Sequence, residues 1–249
     1  MQHGFAEYSE RYVARHHQLI PHLSNLDLNV YAFDLRGHGR SPGARGVVDV
    51  KAAVEQHLDA RHQLMEEMPL FLFGHSLGGL VTAASVARDQ SRLAGVVLSA
   101  PALLATAPVA FRALAALFSR FAPALPVAPA IDPNALSRIP AEAQAYASDP
   151  MICDPRACAR LGSTALTVSK RAWVRYSAWT APTLVIHGAD DGAVALAGSQ
   201  RFMSTISSAD KTLKVFPTGR HELLNDLDRD EARAVVLAWL DQRLKRASI

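Results

Sequence analysis

The segment Pro69-Leu70-Phe71-Leu72-Phe73-Gly74-His75-Ser76-Leu77-Gly78 constrains the fold more than any other stretch of this chain. Residues 69–73 form a short apolar run, and Leu80-Val81-Thr82-Ala83-Ala84 reads as a helix former. The pattern therefore predicts a strand, a sharp turn and a helix, with Ser76 at the apex of the turn. In a G-x-S-x-G turn the serine takes a strained backbone conformation, and the glycines on either side let neighbouring backbone pass close to it. The hydroxyl then stands clear of the sheet, which makes Ser76 a candidate nucleophile.

A serine hydroxyl is a poor nucleophile at neutral pH, so it needs a base to take its proton and an acid to orient that base. Both candidates follow Ser76 in the order nucleophile, acid, histidine. Thr183-Leu184-Val185-Ile186-His187 is β-branched and apolar, and Gly188-Ala189-Asp190-Asp191-Gly192 comes directly after it. A carboxylate thus sits just past the carboxyl end of a buried strand, where open α/β sheets build their sites. Asp190 and Asp191 compete for this role, because successive residues at a strand end point in different directions. Thr212-Leu213-Lys214-Val215-Phe216 predicts a further strand, and the loop after it brings His221 to the same rim. Imidazole suits the base because its ordinary pKa lies near neutral pH. An oxyanion would take the backbone N–H of Leu77, the residue after the nucleophile, and that of Phe5 in the loop His3-Gly4-Phe5.

With these residues in place the chain resembles the monoacylglycerol lipase and lysophospholipase group of α/β-hydrolases. The resemblance rests on four ordered motifs: His3-Gly4-Phe5-Ala6-Glu7 through Arg11-Tyr12, Asp34-Leu35-Arg36-Gly37-His38-Gly39-Arg40-Ser41, the turn at residues 74–79, and residues 217–226. It implies an α/β-hydrolase fold, a mostly parallel sheet flanked by helices with an inserted helical cap. It also implies a serine carboxylesterase working through an acyl-enzyme. Ser76 would be the nucleophile, His221 the base, Asp191 rather than Asp190 the acid, and Phe5 and Leu77 the oxyanion donors. No metal or organic cofactor is called for.

The substrate class so implied is a small lipid ester, a monoacylglycerol cleaved to fatty acid and glycerol. A lysophospholipase or a general short-chain carboxylesterase is the alternative within the same chemistry. In one respect the chain departs from the resemblance, which implies two to three strands ahead of His3-Gly4 where the sequence opens two residues before them. Met1-Gln2 is too short for a strand, so either the start is mis-assigned or the sequence is a truncated form with an open sheet edge. A catalytically silent interaction protein is accordingly the alternative of a different class.

At 249 residues, 49% of them hydrophobic and 20% charged, the chain suits one globular unit with a substantial core. The predicted layout is a hydrolase core in two parts, residues 1–100 and 179–249, with a helical cap over residues 101–178. Strands are expected at 30–34, 70–73, 95–99, 183–187 and 213–216, and helices at 8–23, 48–67, 77–88, 196–206 and 230–245. The cap stretch shows no clear strand and many prolines, and Val109 to Phe118 is apolar on most sides of a helix. That helix is expected to pack on the core, line an acyl-binding tunnel or make transient contact with a membrane surface. The net charge of +3 is spread along the chain rather than clustered, which argues against nucleic acid as a partner. Met1 to Glu10 has neither the basic start nor the apolar core of a signal peptide, and Cys153 and Cys158 lack a second metal-binding pair. A cytoplasmic protein with two free thiols is the expectation. His16, His17, His38 and His75 read as structural rather than catalytic or metal-binding.

Overall fold

In a parallel sheet covered on both sides, successive residues of each strand feed two different cores, and the strands of this chain divide in that way. The computed structural model describes residues 1–64, 70–104 and 109–247. Ahead of the first strand come α1 (Arg11–Ala14), α2 (Leu19–Ser24) and α3 (Val50–Leu64). β1 (Leu70–His75) runs directly into α4 (Ser76–Val86), and β2 (Leu93–Ser99) follows. The chain then makes α5 (Val109–Phe121), β3 (Pro126–Ala130), α6 (Pro133–Leu136), α7 (Pro140–Ser148), β4 (Arg156–Cys158) and α8 (Ala159–Trp173). β5 (Thr183–Gly188), α9 (Leu196–Thr205), β6 (Lys211–Phe216) and α10 (Arg229–Ala247) complete the core.

The main sheet has the order β1-β2-β5-β6 with every pairing parallel. Leu72, Val96, Leu98 and Val185 point to one face, where they pack with buried side chains of α3, α4, α8 and α9. Phe73, Val97, Leu184 and Ile186 point to the other, against α10 and the segment Tyr12 to Leu23. α4 lies deepest, with every residue from Leu77 to Val86 buried. Its first turn therefore has a fixed position relative to the carboxyl ends of the strands, where Ser76, Asp191 and His221 all lie. Among the described residues no helix is long and apolar enough to cross a membrane.

Three expectations from the sequence need correction. Residues 30–34 do not form a strand; Gln2 alone bridges in parallel to Phe33 on one side and to Gly74 on the other. Gln2 N–H donates to Phe73 O at 2.9 Å and His75 N–H to Gln2 O at 3.1 Å, so the outer edge of β1 is paired near the turn although no strand forms there. The helix expected over 8–23 is broken, because His16, His17 and Gln18 take positive φ of 45°, 50° and 53° between α1 and α2. Left-handed backbone costs non-glycine residues roughly 1–2 kcal/mol each. It is held here by buried bonds described below. The stretch 101–178 does contain strands, β3 and β4, which pair antiparallel. The helix expected over 48–67 is described from Val50 to Leu64, and residues 65–67 lie outside the described residues.

An aromatic cluster ties α9 to the segment before β5. Phe202 is fully buried and meets Tyr176 and Trp179 edge-on, with ring centroids at 4.8 and 5.1 Å. Phe202→Ala should lower stability by about 3–5 kcal/mol, because a packed ring is lost and the cavity collapses only in part. Phe121→Ala, at a position 72% exposed, should change it by less than about 0.5 kcal/mol. Urea unfolding of the two variants checks the contrast.

Candidate active site

β1 ends at His75, α4 begins at Ser76, and Ser76 has φ 51°, the left-handed region that non-glycine residues enter only when the surroundings force them. The chain's first residues cross directly over this turn. A Cβ on Gly78 would run into the carbonyl oxygens of Gln2 and His3, so the crossing needs glycine there. Gly4 is held as tightly: a Cβ on it would sit 3.1 Å from the Ser76 Cβ and 3.2 Å from His75 Cδ2. Close backbone approach, read from sequence as the reason for the glycines, is therefore what they provide.

The loop that carries Phe5 is pinned from three sides. His3 Nε2 accepts the Leu35 N–H at 2.9 Å, and His38 Nε2 accepts the Ala6 N–H at 3.1 Å. Gly4 N–H donates to Glu7 Oε1 at 2.7 Å, and Ala6 O accepts from the Cys153 N–H at 2.9 Å. Ala6 is itself left-handed, with φ 69°. Among the described residues neither the Phe5 nor the Leu77 amide donates to a protein acceptor, and Leu77 lies in the first turn of α4, where N–H groups have no partner within the helix. Two unpaired donors thus flank Ser76.

Of the two candidate acids, Asp190 is exposed, whereas the Asp191 side chain is fully buried and its Oδ2 lies 2.7 Å from His221 Nδ1. Asp191 Oδ1 accepts the Ala193 and Val194 N–H groups, each at 2.8 Å. His187, which sequence reasoning passed over, adds its Nε2 at 3.3 Å from Asp191 Oδ2. Burial works against a charged carboxylate here, but the His221 charge, the bonds from His187 and His221, and the Val194 amide hold Asp191 well below the usual carboxylate range. For His221 burial favours the neutral ring, yet Asp191, Glu222 and Glu7 together raise its pKa above the ordinary 6.5. His221 Nε2 has no partner among the described residues, and no hydrogen bond joins it to Ser76 Oγ. Such bonds are often long before substrate binds. His75, with its ring 4.8 Å from that of His221, is pushed down to about 3 by burial and by His221, so it stays neutral beside the base.

Behind this site lies a buried polar cluster. Arg11 makes a two-pronged bond to Glu222 at 2.9 and 3.1 Å and a third bond to Glu7 Oε2 at 2.9 Å. Glu7 also accepts from Tyr12 OH at 2.9 Å and lies 2.9 Å from His16 Nε2, while Asn225 donates to Glu222 at 2.6 Å. These residues are all at most 5% exposed. Burial opposes both carboxylate charges, but His16 and Arg11 hold Glu7 well below its usual range, and Arg11 with His16 holds Glu222 at about 2. Glu7 and Arg11 were visible as part of the motif at residues 3–12, and their partner Glu222 as part of the motif at residues 217–226, but nothing in the sequence pointed to their pairing. The ligand atoms of Glu7, His16 and Glu222 lie within 4.8 Å of one another, the arrangement a metal ion would need. Arg11 already supplies the cation between the two carboxylates, so the cluster is complete as it stands. The cavity lined by Gln2, Phe33, Asp34, Arg36, Gln56 and His57, about 270 Å³, lies at the sheet edge and touches none of Ser76, Asp191 and His221.

The sequence and the fold have counterparts in known proteins. The family model described as serine aminopeptidase, S33, matches residues 1–228. The monoacylglycerol lipase of Mycolicibacterium smegmatis is 33% identical over 98% of this chain and 88% of its own length. The human monoglyceride lipase is 34% identical over 99% of this chain and 83% of its own length. The crystal structure of the Paleococcus ferrophilus monoacylglycerol lipase superposes with a TM-score of 0.87 at 34% identity, covering 97% of this chain and 92% of that one. The Ser76 turn, the parallel sheet that carries it and these matches along nearly the whole sequence have one meaning: the chain belongs to the serine aminopeptidase S33 family of α/β-hydrolases.

Proposed function

We propose that the chain is a serine carboxylic-ester hydrolase that cleaves monoacylglycerols to fatty acid and glycerol. The observation that carries this reading is the Asp191–His221 pair at 2.7 Å, with the second ring nitrogen of His221 unpaired among the described residues and Ser76 left-handed at the start of α4. The naming of its relatives as monoacylglycerol and monoglyceride lipases supports the substrate class.

The chemistry follows from the placement. Ser76 Oγ attacks the ester carbonyl carbon while His221 Nε2 takes its proton, and Asp191 stabilises the imidazolium that forms. The carbonyl oxygen becomes an oxyanion within reach of the Phe5 and Leu77 N–H groups, at the positive end of the α4 dipole. Collapse breaks the bond to the glycerol oxygen, which leaves with the proton from His221. Water then attacks the acyl-enzyme, gives its proton to His221, and the fatty acid departs as Ser76 is restored.

Residues 101–178 serve in this reading as a cap over the site. α5 buries Ala115 and Ser119, while Leu114, Leu117 and Phe121 are 50%, 53% and 72% exposed, as is Leu125 beyond it at 40%. Spacings of three and four residues place these side chains along one stripe of the helix. Such a stripe suits contact with a lipid surface, from which a monoacylglycerol would be drawn. The buried thiols Cys153 and Cys158 fit a reducing, cytoplasmic setting.

Three outcomes are expected. Treatment with a fluorophosphonate should add one adduct to the native chain and none to Ser76→Ala, read by intact mass; no adduct on folded native protein would exclude the serine mechanism. The acid limb of kcat/KM should have its midpoint above pH 6.5, because only neutral His221 acts as base and its pKa is raised; activity titrated across pH checks this. Leu117→Ser combined with Phe121→Ser should weaken binding to monoacylglycerol-containing vesicles by at least about tenfold while leaving hydrolysis of a soluble short-chain ester unchanged. Vesicle sedimentation and ester assays separate the two effects.

A further inference from the structure

His187 belongs neither to the pair that moves the proton nor to the oxyanion donors, yet it is fully buried on β5, one turn of chain before Asp191. Its Nε2 lies 3.3 Å from Asp191 Oδ2 and 3.1 Å from Val194 O. Both neighbours are acceptors, so this nitrogen carries a hydrogen. Its Nδ1 lies 2.7 Å from Ser199 Oγ on α9, and the hydroxyl donates to it in the neutral ring. Ser199 is itself fully buried, so the hydroxyl has no water to turn to. The tautomer of His187 is thus fixed from outside the site; its N–H donates to Val194 O at 3.1 Å and lies 3.3 Å from the acid's Oδ2, close enough to be shared between the two.

We propose that His187 is a positioning residue for the triad acid, donating from Nε2 to Asp191 Oδ2 and holding that carboxylate toward His221, with Ser199 fixing the donor tautomer. The inference rests on the serine-hydrolase reading above and deepens it. Asp191 has two oxygens and room for about four bonds. The Ala193 and Val194 amides fill Oδ1, His221 bonds Oδ2, and the His187 N–H, shared with Val194 O, lies 3.3 Å from Oδ2. Rotation of the carboxylate would break the three bonds and the His187 contact at once. The His187 bond also draws electron density from the oxygen that faces His221, which tempers how strongly Asp191 holds the His221 proton. A base held too tightly protonated is a poor base at neutral pH, so this donor favours turnover.

Other charged and titratable groups face His221: His75 at the end of β1, Glu7 from the Phe5 loop and Glu222 on its own loop. The substitutions that test the proposal leave all of them in place. His187→Leu removes the donor and keeps an apolar filling; His187→Gln restores an N–H that cannot ionise. The pH dependence of kcat/KM should show the acid limb of His187→Leu moved up by roughly half to one pH unit. Its kcat should fall roughly tenfold, the scale of one hydrogen bond to a charged group, with KM within about twofold. His187→Gln should return the limb toward that of the native enzyme, and Ser199→Ala should show a smaller shift in the same direction.

A merely structural role predicts something different: lower thermal stability for both His187 variants and no movement of the limb in either. That result overturns the proposal, as does a shift in His187→Gln equal to that in His187→Leu. Should His187→Leu fail to fold, the native enzyme alone decides the matter through the nitrogen-15 imidazole spectrum. The His187 ring is expected with the proton on Nε2 and none on Nδ1, and a bare Nε2 overturns the assignment. Fluorophosphonate labelling run beside these measurements separates the two levels: native protein that does not label overturns both readings, whereas labelling with an unmoved limb overturns only the role of His187.

Discussion

A guanidinium between two buried carboxylates is the interaction on which the rest of this site depends. Arg11 bonds Glu7 and Glu222 at once, and these residues come from opposite ends of the chain. Glu7 holds the Gly4 amide, so it sets the loop that presents Phe5; Glu222 adjoins His221, so it sets the loop that presents the base. Removing ions from water costs several kcal/mol each, and the attraction repays this only when every bond is made. Loss of Arg11 would leave two uncompensated negative charges behind His221, so the network offers its residues little freedom to vary one at a time. The cluster thereby couples the Phe5 loop to the His221 loop through the Arg11–Glu222 bond, 211 residues apart in sequence.

Backbone strain collects around the same cluster. Ser76, Ala6 and Ala100 are left-handed at the turn, at the Phe5 loop and just past β2, and His16 to Gln18 are left-handed behind them. Each such residue costs of order 1–3 kcal/mol, and each persists because its neighbours over-determine it. At His16 the causes are visible: its ring stacks on Tyr12 at 4.0 Å, bonds Glu7, and its amide donates to Asn225 Oδ1. Helix continuation from α1 would gain one backbone bond per residue. It would leave the Glu7 carboxylate short of a partner, which is the larger loss.

That competition explains what could and could not be read in the sequence. The turn at Ser76, the four main strands and the order of Ser76, Asp191 and His221 are legible because local pattern and final structure agree there: an apolar run, a glycine-flanked turn, a carboxylate or histidine just past a strand end. The helix over 8–23 was not legible, because its break is decided by Glu7 and Asn225, the latter 209 residues away in sequence. The apparent strand at 30–34 has suitable residues, but Tyr31 and Phe33 are 50% and 42% exposed and find only the single bridge to Gln2. β3, read as Pro-rich and therefore irregular, pairs with β4 at residues 126 and 130, where the register tolerates proline between. The choice of Asp191 over Asp190 was open in the residues themselves, since strand alternation says only that one of them faces inward.

The proton balance at His221 shows why so much charge surrounds one imidazole. Burial alone would make the ring too weak a base to accept the Ser76 proton, as it does for His75, pushed down to about 3 in nearly the same place. Asp191 reverses that effect for His221 by direct contact, and Glu222 and Glu7 add to it from behind. Left unchecked, three carboxylates would hold the imidazolium too firmly to return its proton to a leaving alkoxide. Arg11 neutralises part of the charge at Glu7 and Glu222, and donors on every lone pair of Asp191 spread the rest. The protonation of His221 is therefore set by opposing terms, burial against the surrounding carboxylates.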